Sequence, residues 1–345
     1  ARTFEGAVGV FIDGVYRTRS GQALSNFLDV AGLQILRGPQ GTLFGANTTG
    51  GVVNVVTNRP TGQTGGYLRA MVGNWGRLDV NGAVEMPFVE DKISMRVAGV
   101  HTQRDGWTTN IWNGKDMGSK NVDAVRGQLL FKPSEDVRIT LQGEYVVGRT
   151  GAPVVVNGGL PGEANYVPAG SIWNGAKLPM YVSPCARPGK RCVAPKKYFS
   201  GNNEVPDTSN MTTKFFIGTV EIDNTALGDL TSITGYKNFT LFEYTDQDGT
   251  SKTNNATRRR TKGWQFTQEL RSAFELNDAI SGVAGAFFMK THFDHYQMYH
   301  LDFAVPGLDQ FNMQDQDTQS VSAFLQTYAR LSENLKLSAG IRYTH

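Results

Sequence analysis

From Tyr67 to the end of the chain, apolar and polar residues take turns one by one. Leu78, Val80, Gly82, Val84 and Met86 fall on one side of an extended chain, and Arg77, Asp79, Asn81, Ala83 and Glu85 fall on the other. The division recurs in Val125, Gly127, Leu129 and Phe131 against Ala124, Arg126, Gln128 and Lys132. It recurs again in Trp264, Phe266 and Leu270 against Gln265, Thr267, Glu269 and Arg271, and is cleanest in Leu335, Leu337, Ala339, Ile341 and Tyr343. Successive side chains of a strand point to opposite faces, so period two predicts strands with one apolar and one polar face. Eleven strands follow, near 65–72, 77–86, 92–103, 122–132, 137–147, 213–223, 230–244, 263–276, 280–292, 319–331 and 335–345. A sheet of this kind is either half-solvated or a barrel in lipid.

Connection lengths separate the two. Short turns fall at Pro87 to Asp91, Pro133 to Asp136, Asn224 to Asp229, Asn277 to Ala279 and Ser332 to Asn334. The intervening connections are longer, apart from the first at Gly73 to Gly76, and one runs from about Gly148 to Thr212. Short turns at one end and long loops at the other are the asymmetry of a bacterial outer-membrane barrel, which a soluble sandwich has no reason to share. Aromatics near strand ends, such as Tyr67, Phe88, Tyr145, Tyr244, Trp264, Phe274 and Tyr343, fit interfacial girdles.

The first sixty residues follow a different pattern. Val8 to Ile12 reads as a strand turning at Asp13-Gly14, Tyr16 to Gln22 as a polar loop, and 22–29 as a short helix. A strand ending near Leu36 leads into a glycine-rich stretch with Gly38, Gly41, Gly45, Gly50 and Gly51, followed by a strand at Val52 to Val56. Glycines in this density imply tight turns or close backbone approach. A phosphate cradle would need Lys-Ser/Thr after the glycines, and none is present. Asn58 to Gln63 breaks the composition and marks a domain boundary, giving 1–60 and 65–345.

Composition narrows the class without changing it. A net charge of +3 over 345 residues gives no support to nucleic-acid binding, and 10% aromatics with 19% charged residues argue against disorder. No uninterrupted apolar stretch is long enough for a membrane-spanning helix, which leaves a barrel open. Around Ala1 there is neither a basic start nor an apolar run, so the sequence is expected to be mature or, more simply, truncated. Cys185 and Cys192 stand close together in a Pro/Gly-rich stretch and suit a disulfide-closed loop in an oxidising compartment, or two free thiols.

The run Leu36-Arg37-Gly38-Pro39-Gln40-Gly41-Thr42-Leu43-Phe44-Gly45, with Asn47-Thr48-Thr49-Gly50-Gly51 and the Val strand, resembles the plug motif of TonB-dependent outer-membrane receptors. Ile12-Asp13-Gly14-Val15-Tyr16, Gln268-Glu269-Leu270-Arg271 and Leu337 to Thr344 are similar to other stretches of that family. The resemblance implies an all-β transmembrane barrel of 22 strands. This chain would hold about eleven of them, together with the C-terminal part of an α+β plug in the lumen. An odd number of strands cannot close an up-and-down barrel in antiparallel fashion, which fits a part of the wall.

What the resemblance implies for sites is specific. Arg37 matches the plug arginine and Glu269 the wall glutamate of a plug–barrel latch, with Arg271 beside it; Gln34 departs from the family's usual Glu. The plug motif would be carried by Leu36, Gly38, Pro39, Gly41, Gly45, Asn47, Gly50 and Gly51. Tyr16, Arg17, Arg19 and Gln22 fall where the family exposes a loop to ligand, and cationic and aromatic groups there suit an anionic iron chelate. They equally suit solvated loop decoration.

Other clusters are weaker. Thr291-His292-Phe293-Asp294-His295 with His300 offers metal-ligand types without a supporting pattern, so no metal and no cofactor is expected. Arg258-Arg259-Arg260 reads as a basic run in an external loop. No Gly-x-Ser-x-Gly or placed His/Asp pair suggests an enzyme. The expected function is active uptake of a ferric siderophore or similar scarce solute through the cell outer membrane. The partners implied are membrane lipid and the TonB-ExbB-ExbD complex, the latter engaged through an N-terminal segment outside the chain. A passive porin, or uptake of cobalamin or oligosaccharide, is the alternative.

Overall fold

The structure is a computed structural model that describes residues 7–18, 28–45, 48–110, 113–153, 172–173, 176–177, 200–201, 205, 207–247, 255–301 and 307–345. Its larger part is one eleven-stranded antiparallel sheet. The strands are β5 (Gly65–Gly73), β6 (Arg77–Val89), β7 (Ile93–Arg104), β10 (Lys120–Phe131), β11 (Val137–Gly151), β15 (Thr208–Thr225), β16 (Gly228–Asp246), β17 (Ala256–Asn277), β18 (Ile280–His300), β19 (Asp309–Ser332) and β20 (Leu335–Thr344). They pair in sequence order from β5 to β20, all eleven where the alternation predicts them. Between them lie the short strands β8 (Thr108–Asn110), β9 (Asp116–Met117), β12 (Ile172–Trp173), β13 (Ala176–Lys177) and β14 (Ser200–Gly201).

The later strands extend further toward the long connections than the sequence suggests. One consequence is that Arg258-Arg259-Arg260 is part of β17 rather than a loop. Alternation then splits the run: Arg258 and Arg260 are exposed on one face, while Arg259 turns to the other toward Glu243.

Burial along this sheet is inverted relative to a water-soluble protein. Apolar side chains of the outer face are open, as at Leu68 (79%) and Ile341 (69%), while polar groups of the inner face are covered, as at Gln265 (2%) and Lys237 (2%). Lipid can solvate the former and cannot solvate the latter, so the outer face fits a bilayer. The inner face is covered because a second, smaller sheet packs against it.

That sheet has four strands in the order β2-β1-β4-β3, namely β1 (Val8–Ile12), β2 (Val15–Tyr16), β3 (Val30–Arg37) and β4 (Gly51–Thr57). β1 and β4 run parallel and the other pairs antiparallel. Between β3 and β4 the glycine-rich stretch forms a one-turn helix, α1 (Gly41–Phe44), where the sequence suggests only loop. Phe11, Tyr16 and Val52 of the small sheet pack with Met289 of β18, and Val15 packs with Phe215, Ile217 and Ile233. The helix expected over 22–29 lies almost wholly outside the described residues, as do Arg19, Gln22, Asn47, Cys185 and Cys192.

Candidate functional site

The inner face of β6, β7, β10 and β11 presents Glu85, Arg96, Arg126, Gln128, Gln142 and Glu144, because these positions alternate with the apolar outer ones. Once covered, each needs a partner, since an unmatched buried charge costs several kcal/mol. The small sheet and the linker after it supply partners to Arg96, Arg126, Gln128 and Glu85, while Glu144 accepts from Arg126 and Gln142 from Gln128 within the wall. Leu28 inserts among Ala83, Ala98, Val122, Ala124 and Val146, small or branched residues that leave room for it. This carries Asp29 onto Arg96.

Arg96 Nε donates to Asp29 Oδ2 at 2.6 Å and Nη2 to Oδ1 at 2.8 Å. Asn58 Nδ2 donates to the same Oδ1 at 2.8 Å, and the Tyr67 hydroxyl approaches at 3.3 Å. The third guanidinium nitrogen, Nη1, reaches Glu85 Oε2 at 3.2 Å. The other Glu85 oxygen accepts the Thr61 hydroxyl at 2.8 Å and the Gly62 N–H at 2.9 Å, together with the Thr61 N–H. One arginine therefore grips both the small sheet and the linker joining it to the wall. Burial alone would raise the Asp29 carboxyl, but the hydrogen bonds from Arg96 and Asn58 and the arginine charge outweigh it and hold the group below its ordinary value.

The seam continues along the wall. Arg126 donates Nη1 to the Leu28 carbonyl at 2.6 Å and Nε to Glu144 at 2.9 Å, and Gln128 donates to the Thr57 hydroxyl at 3.1 Å. Gln265 donates to the Tyr16 carbonyl at 2.6 Å and accepts the Thr18 hydroxyl at 2.8 Å. On β20, Arg342 donates to the Thr42 carbonyl of α1 at 3.3 Å. Its guanidinium occupies the space beside Gly45, where an added Cβ would meet Arg342 Cζ at 2.8 Å. Gly45 also has φ +80, so both the backbone and the neighbour require glycine.

Two expectations are corrected here. Arg37 does not meet Glu269: it is exposed at the end of β3 without an ion pair among the described residues, and Glu269 pairs with Arg271 at 3.5 Å within its own strand. The resemblance carries the residue types across but not their geometry, since β3 presents its side chains away from the described wall. Tyr16 and Arg17 are buried rather than displayed to ligand. Arg17 stacks on Phe215, its Cζ 3.2 Å from the ring centroid, and two of its nitrogens, Nε and Nη2, have no hydrogen-bond partner. Burial pushes its guanidinium down to about 10, against the opposing pull of Glu144, so it remains charged at neutral pH.

The motif residues serve the turn itself. Gly38, at φ +80, donates its N–H to the Gly50 carbonyl at 3.3 Å, and the Gly50 N–H bonds to Ala7 at 2.8 Å. Leu36 and Gly51 pair across β3 and β4 with their neighbours, Pro39 is exposed beyond β3, and Gly41 opens α1. The histidine cluster is split by alternation. His292 stands opposite Asp317 at 3.2 Å and near Asp315 at 3.6 Å on the outer face, whereas His295 turns inward to Thr261 at 2.8 Å.

Comparison with known proteins agrees with this arrangement. No protein-family model matches the chain. Over 70 residues, 20% of this chain and 10% of the other, it is 41% identical to the pesticin receptor of Yersinia pestis. It is 26% identical over 128 residues, 32% of this chain and 16% of the other, to a probable TonB-dependent siderophore receptor, PirA, of Acinetobacter baumannii. The fold is shared with solved structures: 98% of the chain superposes on 47% of the ferric yersiniabactin uptake receptor FyuA of Yersinia pestis, with TM-score 0.78 at 17% identity. Its fold is that of the TonB-dependent receptors. The pyoverdine receptor FpvA of Pseudomonas aeruginosa is also similar, with TM-score 0.72 at 14% identity over 100% of this chain and 46% of that one. The chain thus spans about half the length of the solved TonB-dependent receptors it matches. The eleven-stranded sheet matches part of the barrel of those structures, and a β-barrel of this fold fits the outer membrane.

Asp29 and Arg96 are the contact that sequence reasoning missed. A signal existed in each: Asp29 is an acid inside the apolar run Phe27-Leu28-Asp29-Val30, and Arg96 falls on the inward phase of β7. Nothing in the sequence pairs them.

Proposed function

We propose that this chain is part of a receptor that binds a ferric siderophore on its outer face and admits it when the plug shifts within the barrel. Energy would reach the plug from TonB with ExbB and ExbD, through a segment outside these residues. The observation supporting this reading is the seam: the small sheet, which we read as the plug, is held to the wall by a run of hydrogen bonds and ion pairs alongside three small apolar clusters, so it is seated through many separable contacts. The relatives are transport receptors, and we read no catalytic role into the chain. The test is uptake by whole cells carrying the full-length receptor, with ferric siderophores, cobalamin and oligosaccharides as the panel. Uptake of one ferric siderophore that stops when the proton-motive force is dissipated, and when 36–45 is replaced by a flexible linker, is the expected result. Conductance that needs no energy source would instead mark a passive pore.

A further inference from the structure

Along β18 alone, the histidines and acids of 291–295 form no ligand set, because alternation divides them between two faces. Register adds what the single strand lacks. His292 stands opposite Asp317 of β19 and Asp294 opposite Asp315, and these four side chains share the outer face with Trp264, the partner of His292 on β17. His292 Nδ1 lies 3.2 Å from Asp317 Oδ1 and 3.6 Å from Asp315 Oδ1, and one donor atom from each of the three groups falls within 4.8 Å of the others. In a tetrahedral metal site with bonds of about 2.0–2.1 Å, neighbouring donor atoms are about 3.3 Å apart. The two separations from His292 bracket that spacing.

The acids stand where they repel one another. Asp294 and Asp315 are directly opposed like charges, an arrangement that destabilises a sheet, and Asp317 follows Asp315 on the same face. Lys262 stands opposite Asp294, and Lys290 lies one outward row before His292. Among the described residues neither lysine forms an ion pair with Asp315 or Asp317, whose ion pairs are both with His292. A proton on that imidazole would set one positive charge against two carboxylates, whereas a divalent cation would match both. The ring is already held in place by stacking on Trp264, with centroids 6.3 Å apart and planes at 26°. Aromatic side chains mark the membrane interface, and β18 and β19 run on past this row toward their long connection, so the cluster lies where aqueous ions reach it. The Asp315 and Asp317 side chains are accordingly 72% and 66% exposed.

We propose that His292, Asp315 and Asp317 form a binding site for a transition-metal dication of the zinc type on the outside of the wall. One imidazole with two carboxylates suits such an ion, whereas magnesium and calcium prefer sets made wholly of oxygen. Three protein donors leave a fourth position for water. With one ligand on β18 and two on β19, the bound ion would clip the two strands together near the loop that joins them. The site lies on the face of the wall opposite the small sheet, so the proposal does not depend on which solute the receptor carries.

The test uses the untagged full-length receptor in detergent, stripped with a chelator and titrated by calorimetry with Zn²⁺ alone and, separately, with Ca²⁺. The site variants are His292→Gln and Asp315→Asn/Asp317→Asn, and the control is His295→Gln, which alters the inward histidine of the same strand. Wild type and control are expected to show a Zn²⁺ site that both site variants lose or bind at least roughly tenfold more weakly. Co²⁺ should give the wild type the strong visible absorption of a four-coordinate site and give the site variants none. Each variant must keep the folded, heat-modifiable form on gels. Independently of any variant, Zn²⁺ should slow hydrogen exchange of the wild type in the peptides covering 290–300 and 309–319. Equal Zn²⁺ binding by wild type and both site variants would overturn the proposal. So would Ca²⁺ binding as tight as Zn²⁺ binding and insensitive to His292→Gln, which would mark a plain acidic surface.

Discussion

Replacing Asp29 by Asn tests the seam at its most buried ion pair. The carboxylate side chain is 1% exposed and receives two hydrogen bonds from Arg96, one from Asn58 and a longer one from Tyr67. Hydrogen bonds to a charged group contribute about 1.5–3 kcal/mol, and stranding a buried charge costs about 3–5 kcal/mol. In the Asn variant Arg96 keeps Glu85, so the lower range applies and the plug should be held about 2 kcal/mol less tightly. At about 1.4 kcal/mol per decade this is roughly a thirtyfold rise in the fraction of time the seam is open. Arg96→Met is expected to cost more, because it leaves Asp29 and Glu85 facing each other without the cation. Hydrogen-exchange mass spectrometry on the full-length receptor reads this as faster exchange in the peptide covering β4, with the barrel peptides unchanged. The reasoning fails if both single variants exchange like the wild type, or if the double variant is additive, since residues in direct contact must couple.

The same seam supports three further expectations. Because the Asp29 pKa is depressed on folding, its contribution is present above the ordinary carboxylate value and is lost as pH falls through the folded value; protection of β4, taken as exchange relative to the intrinsic rate at each pH, should hardly vary from pH 5 to 8 and should fall only below about pH 4. The Asn variant should lose that acid step. Arg17→Met should leave the plug as stable or make it more so, because it removes a buried charge with two unbonded nitrogens, whereas Phe215→Ala should cost about 3–5 kcal/mol in urea unfolding. Gly45→Ala should loosen α1 by about 1–2 kcal/mol through its positive φ and the Arg342 guanidinium, and adding Arg342→Ala should recover the steric part, as read by exchange in 41–48.

The wall was legible because lipid imposes a strict phase on each strand: Leu335, Leu337 and Ile341 stand open on the outer face as the alternation requires. Local turn chemistry likewise announced the glycine-rich stretch and the break at Asn58 to Gln63. The seam was not legible, for a physical reason. Asp29 and Arg96 are 67 positions apart, and Tyr16 and Gln265 are 249 apart, so no periodicity links them. Only the packing of one sheet on another chooses such partners. Resemblance erred in a related way at Arg37 and Tyr16, whose types match the family while their surroundings are set by this chain's own contacts. Strand length was misjudged at Arg258 to Arg260, because three adjacent cations read as a solvated loop unless the pleat is known to separate them.

The sharing of Arg96 between Asp29 and Glu85 gives the plug a catch that can be reused. Were Asp29 withdrawn, the guanidinium would still face Glu85, a carboxylate already beside it, so the wall would not be left with a bare charge. A contact that is to be broken and remade has use for a fastening of that kind.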